Sequence, residues 1–179
     1  TTYYYVAWSL VDGTWYPGEV KSFTTLPINA PTAILTANGI NVLTNGYTNS
    51  YDFRFTLSSS SNTTHYQLKY WNDITGSPFK ENTPWNKTIS GTIYSDHFTQ
   101  GEGKHYFSFS ACDVADNCSE YSEPFVVTYD KTKPTIEILE PAENSSHSGS
   151  FDVKVKGTDE SSGLDKVVVY VYNSSNQII

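Results

Sequence analysis

The stretch HYFSFSACD, residues 105–113, alternates between two sets of side chains without a break. His105, Phe107, Phe109 and Ala111 fall on one face of an extended strand, and the residues between them fall on the other. This period of two predicts a β-strand with one face against a core. The histidine of this apolar face is therefore expected to be packed in the core, not to act as a catalytic base or a metal ligand.

Segments on both sides of this strand carry the same signal. Ser50–Leu57 places Tyr51, Phe53, Phe55 and Leu57 on one face, and His65–Trp71 does the same with Tyr66, Leu68 and Tyr70. Further strands are predicted at Thr32–Thr36, in two pieces of 85–98 broken at Ser90-Gly91, and at Pro124–Tyr129, with turns at Asn38-Gly39 and Asn45-Gly46. About seven short strands over 28–131 are typical of one complete β-sandwich.

The two ends of the chain resemble parts of further sandwiches. Residues 1–27 predict a hairpin, with strands Tyr3–Val11 and Glu19–Thr25 around the turn Asp12-Gly13. Residues 132–179 predict strands at Thr135–Leu139, around Phe151–Val155, and at Val167–Val171. We therefore expect an all-β internal window of a longer modular protein, with one complete domain and a partial domain on each side.

Composition excludes several classes of function. The formal net charge is −8, which lacks the basic surface that nucleic-acid binding needs. The longest apolar run, Val167–Tyr172, is far shorter than the roughly 20 residues of a membrane span. There is no G-x-S-x-G motif, no phosphate-binding glycine loop and no cysteine with a plausible histidine partner. The sequence therefore predicts a protein that is not an enzyme.

Two families share motifs with the chain. Residues 1–27 resemble the last hairpin of a fibronectin type III domain through Tyr3, Tyr5, Ala7, Asp12-Gly13 and the closing SFTT at 22–25. The remainder resembles bacterial and archaeal immunoglobulin-like surface repeats through Ala111-x-Asp113, Asn117-x-Ser119, the strand 125–128, the linker DKTKPT at 130–135, GTD at 157–159 and SGL at 162–164. The usual loop glycine is replaced by Asp116, which tolerates a left-handed backbone. The resemblance implies tandem sandwiches on an extracellular or cell-surface protein.

Cys112 and Cys118 are the only cysteines and are separated by five residues across a predicted hairpin. They could form a disulfide, bind a metal or stay free. A metal site would want further Cys or His residues nearby, and the sequence around the pair has none. We favour a cross-strand disulfide formed in an oxidising compartment.

Acidic residues gather near the predicted domain ends: Asp113, Asp116, Asp130, Asp159 and Glu160. Calcium takes six to eight oxygen ligands, so such residues meeting at a domain junction could hold it and stiffen the linker. The alternative is that they are ordinary solvated turn residues, because Asp favours turns. Calcium is the one cofactor that the sequence suggests.

Three tryptophans, Trp15, Trp71 and Trp85, are candidates for stacking on sugar rings, and packing between modules is the alternative. Five Asn-x-Ser/Thr triplets are candidates for N-glycosylation in a eukaryote or archaeon: Asn62, Asn86, Asn117, Asn144 and Asn173. A chain rich in Ser, Thr and Asn also forms such triplets by chance.

The pattern as a whole predicts a non-catalytic structural or adhesive segment of a large secreted or cell-surface protein. Its partners would be neighbouring modules of the same chain, and surface proteins or glycans. An alternative is a spacer or carbohydrate-binding accessory region of a secreted polysaccharide-degrading enzyme. A third hypothesis is assembly, in which another copy supplies strands that the end pieces lack.

Overall fold

The computed structural model describes residues 2–24, 28–60 and 62–178. All helical or extended elements assigned in these ranges are β-strands. The expected all-β fold is confirmed. The described residues include no helix long and apolar enough to cross a membrane. Predictions for Thr25 and for Leu26-Pro27 lie outside the described residues.

The N-terminal segment is one long, interrupted hairpin. Its strands are β1 (Thr2–Tyr5), β2 (Trp8–Val11), β3 (Thr14–Pro17) and β4 (Lys21–Thr24). β2 pairs with β3 around the predicted turn, and β1 pairs with β4 beyond it. Between the two ladders the N–H of Gly18 donates to the carbonyl of Ala7 at 2.7 Å. The return strand therefore begins earlier than the predicted Glu19.

The middle segment holds two packed sheets. Its strands are β5 (Thr32–Ala37), β6 (Ile40–Val42), β7 (Gly46–Thr48), β8 (Asp52–Ser58), β9 (His65–Asn72), β10 (Trp85–Ser90), β11 (Ile93–His97), β12 (Gly103–Cys112) and β13 (Phe125–Tyr129). One sheet has the order β10-β9-β12-β13-β7 and the other β11-β8-β5-β6. Every pairing is antiparallel except that of β13 with β7.

Aromatic side chains from both sheets form a single core. Phe55 of β8 is fully buried, and its ring contacts Phe107 and Phe109 of β12 at centroid distances of 4.9 and 5.0 Å. The faces predicted for β8, β9 and β12 are those that point inward, including the buried His105. Tyr51 is an exception: it precedes β8, is half exposed and stacks on His97.

The outer face of β12 is covered in its second half. Ser108 donates to the carbonyl of Ser122 at 2.5 Å, and Ser110 donates to the carbonyl of Ser119 at 2.7 Å. The segment that follows the strand therefore folds back over it and buries both serines. Only the first half of this outer face, around Tyr106, remains accessible.

The C-terminal segment contains β14 (Thr135–Glu140) and β15 (Lys154–Thr158), paired antiparallel. The second strand begins later than predicted, since Phe151 and Val153 precede it. The strand predicted at Val167–Val171 is wrong, because these residues have no strand assignment. A strand needs a neighbour for its backbone groups, and no described residue pairs with this stretch.

Candidate functional site

The disulfide between Cys112 and Cys118 is confirmed. It closes the hairpin at the end of β12, where the carboxylate of Asp113 organises the turn. Oδ1 of Asp113 accepts the N–H groups of Ala115 at 2.8 Å and Asn117 at 3.0 Å. The side-chain amide of Asn117 donates to Oδ2 at 3.0 Å, and this bond, with the backbone bonds, lowers the pKa of Asp113.

Asp116 occupies the left-handed position of this hairpin, with φ 60°, where the resemblance implied a glycine. Its carboxylate lies 3.4 Å from Nε2 of His65 on the adjacent strand. A ring nitrogen of His65 also lies close to both cysteine sulfurs. These three residues are the one cluster of potential metal-ligand atoms within the described ranges. Because the two sulfurs are bonded to each other, they are not thiolate ligands. The contact is a feature of the closed hairpin.

The predicted calcium residues do not all come together. Asp113 and Asp116 follow the end of β12, whereas Asp130 follows β13 and lies next to the start of β12, because the two strands run antiparallel. The length of β12 separates them by roughly 30 Å. A single site made of all five predicted acidic residues is therefore not formed, and calcium binding by a smaller set stays a prediction.

The other acidic residues lie at the junction between the middle and C-terminal segments. Oδ1 of Asp159 accepts the N–H groups of Ser161, Ser162 and Gly163 at 2.9–3.2 Å. Desolvation opposes ionisation there, but these hydrogen bonds prevail and lower the pKa of Asp159. Its neighbour Glu160 is exposed.

Asp130 joins the two segments directly. Its carboxylate is buried, Oδ1 accepts the N–H of Thr132 at 3.0 Å, and Oδ2 accepts the N–H of Ser162 at 3.0 Å. Glu102 secures the same linker by accepting the N–H of Lys131 at 2.7 Å and the hydroxyl of Thr132 at 3.0 Å. Two carboxylates thus hold consecutive linker residues against the sandwich.

The three candidate tryptophans have different environments. Trp15 lies on the N-terminal hairpin with 60% of its surface exposed. Trp85 is half buried and packs edge-on against Tyr70, so the packing alternative holds for much of its surface. Trp71 lies on the outer face of the five-stranded sheet, half-buried, with its ring stacked on Tyr106.

A groove of about 280 Å³ lies beside this stacked pair. The hydroxyl of Tyr106 donates to Oδ2 of Asp73 at 2.5 Å, and that bond raises the pKa of Tyr106 to about 12. The whole lining consists of aromatic, acidic and aliphatic side chains: Trp71, Asp73, Glu81, Tyr106, Pro124 and Val126. We name it the outer-face groove. Sequence reasoning found Trp71 but missed the other members, since no spacing connects them.

A second hollow, of about 270 Å³, lies between the sheets at the start of β10 and the end of β11. Its walls include Trp85 and Tyr94, whose hydroxyl donates to Asp96 at 2.5 Å. Burial and this bond raise the pKa of Tyr94. The ammonium of Lys87 lies 5.5 Å from the ring of Trp85 and 5.0 Å from that of Tyr94, so the chain's own cation already contacts these rings.

The glycosylation candidates are mostly at the surface. The residues Asn62, Asn86, Asn117 and Asn144 are exposed, and Asn173 is half buried. The amide of Asn117 is engaged with Asp113, and that of Asn173 donates to Gln177 at 3.3 Å. Modification of any of them stays a prediction.

No protein-family model matches the chain, and a search of curated proteins found no match. The fold and the site geometry are therefore the basis for any functional proposal.

Proposed function

We propose that the chain is a non-catalytic structural and adhesive segment of a large secreted or cell-surface protein. In this proposal residues 1–27 end a fibronectin type III-like domain, 28–131 form a complete immunoglobulin-like sandwich, and 132–179 begin another. The disulfide Cys112–Cys118 is compatible with an oxidising extracellular location.

The observation that carries the proposal is the linker. Asp130 bonds the N–H of Ser162 across the junction, and Glu102 holds Lys131 and Thr132. Hydrogen bonds to ionised groups are roughly twice as strong as neutral ones. Because the bonds act on successive residues ahead of Pro134, they restrain the backbone angles that would let one module swing against the next. Such a junction suits a spacer that transmits position and force.

A pair of spin labels tests this rigidity. Labels on Thr88→Cys and Lys166→Cys, both exposed positions, report the distance between the two segments. We expect a narrow distance distribution that broadens clearly in Asp130→Ala, because the bonds to Thr132 and Ser162 are lost. Asp152→Ala, an exposed acidic residue of the C-terminal segment, is the matched control and leaves the distribution narrow.

The opposite result is equally clear. A wild-type distribution as broad as that of Asp130→Ala, with the sandwich still folded by circular dichroism, contradicts a stiff spacer. Asp130→Asn refines the test, because its single acceptor oxygen can serve Thr132 or Ser162 but not both through the present geometry.

The second candidate function is an accessory region of a secreted polysaccharide-degrading enzyme. The stacked pair of Trp71 and Tyr106 beside two carboxylates favours it, because it combines aromatic side chains with hydrogen-bond acceptors. Both candidates place the chain outside the cell, and they differ in whether a catalytic domain belongs to the same protein. Sequencing the flanking DNA distinguishes them.

A further inference from the structure

We propose that the outer-face groove binds a neutral polysaccharide, with Trp71 and Tyr106 stacking on a sugar ring and Asp73 and Glu81 accepting its hydroxyls. This inference rests on the adhesive function proposed above and gives it a site and a ligand class. The argument has three parts: the aromatic surface, the acceptors and their rigidity.

The aromatic surface is built by strand register. Tyr106 of β12 lies directly opposite Trp71 of β9, so both side chains project from the same face of the sheet. Their rings are 5.4 Å apart between centroids and nearly parallel, at 6°. Both remain half-buried, although the serines farther along β12 are fully covered. The fold therefore leaves an ordered pair of stacked aromatic side chains partly accessible to solvent.

The acceptors come from the segment between β9 and β10. Asp73 binds the Tyr106 hydroxyl through Oδ2, which leaves Oδ1 available to a ligand. Glu81 lines the same groove, is exposed, and accepts no hydrogen bond from any residue in the described ranges. Carboxylates accept hydrogen bonds readily, and charge-assisted bonds to hydroxyl groups are short and strong.

These acceptors are held in place before any ligand arrives. The N–H of Asp73 donates to the carbonyl of Lys104 at 3.3 Å. The ammonium of Lys80 donates to the carbonyl of Ile74 at 2.7 Å, and the N–H of Thr83 donates to the carbonyl of Lys80 at 3.0 Å. The segment carrying Asp73 and Glu81 is thus tied to the sheet and to itself. Such preorganisation lowers the entropic cost of binding.

The charge of the groove selects the ligand class. Its lining contains two acidic residues and no basic one, and the chain carries a formal net charge of −8. Polyuronates and sulfated glycans are therefore repelled. The volume of about 280 Å³ lies just below the range of roughly 300–1,000 Å³ of drug-sized pockets, which suits one ring of an extended chain.

Affinity electrophoresis of the full chain tests the proposal, in native gels containing hydroxyethyl cellulose, mannan or polygalacturonate. We expect retardation by at least one neutral polymer and none by polygalacturonate. Trp71→Ala should weaken retention roughly tenfold or more, which corresponds to the loss of about 1.4 kcal/mol. Asp73→Asn and Glu81→Gln should each weaken it less, and Tyr106→Phe should retain most of it because the ring remains.

Tyr4→Ala is the matched control, since Tyr4 is an exposed aromatic residue on a different segment with no proposed role in binding, and it should leave retention unchanged. Circular dichroism verifies that each variant is folded. Absence of retention on both neutral polymers overturns the proposal, as does equal retention by wild type and Trp71→Ala. Loss of retention on the neutral polymers in roughly 0.5 M salt also overturns it, because salt screens interactions between charges and an uncharged ligand makes none. None of these outcomes changes the spin-label result, so the two proposals fail separately.

Discussion

The Nδ1 atom of His105 lies 2.8 Å from the hydroxyl oxygen of Tyr70, in the interior between the two sheets. Nε2 of the same ring lies 2.9 Å from the carbonyl oxygen of Gly101. A carbonyl oxygen only accepts, so Nε2 carries the hydrogen. Burial favours the neutral ring, in which Nδ1 accepts a hydrogen bond from the Tyr70 hydroxyl, and Asn72 donates to the same hydroxyl from 3.1 Å.

This arrangement makes stability depend on pH. Burial lowers the pKa of His105 from 6.5 to about 4, although the bond to Gly101 acts the other way. Between these values the unfolded chain binds a proton that the folded chain excludes. The free energy of unfolding should then fall as the pH drops from about 6.5 to 4, by roughly 3 kcal/mol in total. Urea denaturation at a series of pH values measures this change.

His105→Phe removes the titrating group and should flatten the pH dependence in that window. His147→Gln is the control, because His147 is exposed and its replacement should leave the slope as in wild type. An unchanged slope in His105→Phe would show that another group is responsible.

The aromatic core should be sensitive to truncation at its centre. Phe55 is fully buried and contacts Phe107 and Phe125 of the facing sheet, so Phe55→Ala should lower the free energy of unfolding by about 3–5 kcal/mol. Ile93→Ala, on an exposed position of β11, should cost less than about 1 kcal/mol. Similar losses in both variants would contradict the packing of the two sheets on one core, and chemical denaturation compares them.

Removal of the disulfide should have a moderate effect. The loop between Cys112 and Cys118 is short, and the entropy that its closure removes from the unfolded chain corresponds to about 2 kcal/mol. The double variant Cys112→Ala, Cys118→Ser should lose about this amount in urea denaturation. A phosphine reductant should destabilise the wild type but not the variant. Equal sensitivity of both proteins to reductant would exclude the disulfide as the cause.

The carboxyl group of Asp113 in the hairpin turn should titrate at unusually low pH. The side chain and backbone of Asn117 lower the pKa of Asp113 below the ordinary 3.8. Its contribution to stability is therefore present above pH 3.8 and is lost as the pH falls through the lower folded value. Carbon-detected NMR titration of the carboxyl group measures this pKa directly. Asn117→Ala should return it toward 3.8, and an ordinary value in the wild type would contradict the turn geometry.

Local patterns predicted most of the strands but not which strands pair with each other in the sheets. Alternation identified β8, β9 and β12, since each has one face in the core and one outside. β6 and β7 were missed because each has only three residues, too few to show a period. The break at Ser90-Gly91 was predicted correctly, yet nothing local indicated that β10 and β11 join different sheets.

The candidate site shows the same division. The disulfide was predictable because two cysteines near each other in a hairpin have few alternatives. Trp71 was a candidate on residue type alone, whereas Asp73, Glu81 and Tyr106 became relevant only through strand register and loop packing. The acidic residues proposed for one calcium site were divided between opposite ends of the sandwich by the antiparallel direction of β12 and β13.

The sequence by itself determined the all-β class, the inward faces and the closed hairpin, because each depends on residues close together along the chain. The tertiary structure alone decided the hydrogen bond from the N–H of Ser162 to Asp130, the stacked pair of Trp71 and Tyr106, and the absence of a strand at Val167–Val171. Each of these depends on a partner distant in sequence. Hydrogen bonds and ring contacts act over a few ångströms in space, and a residue pattern does not state which distant segment will fill that space.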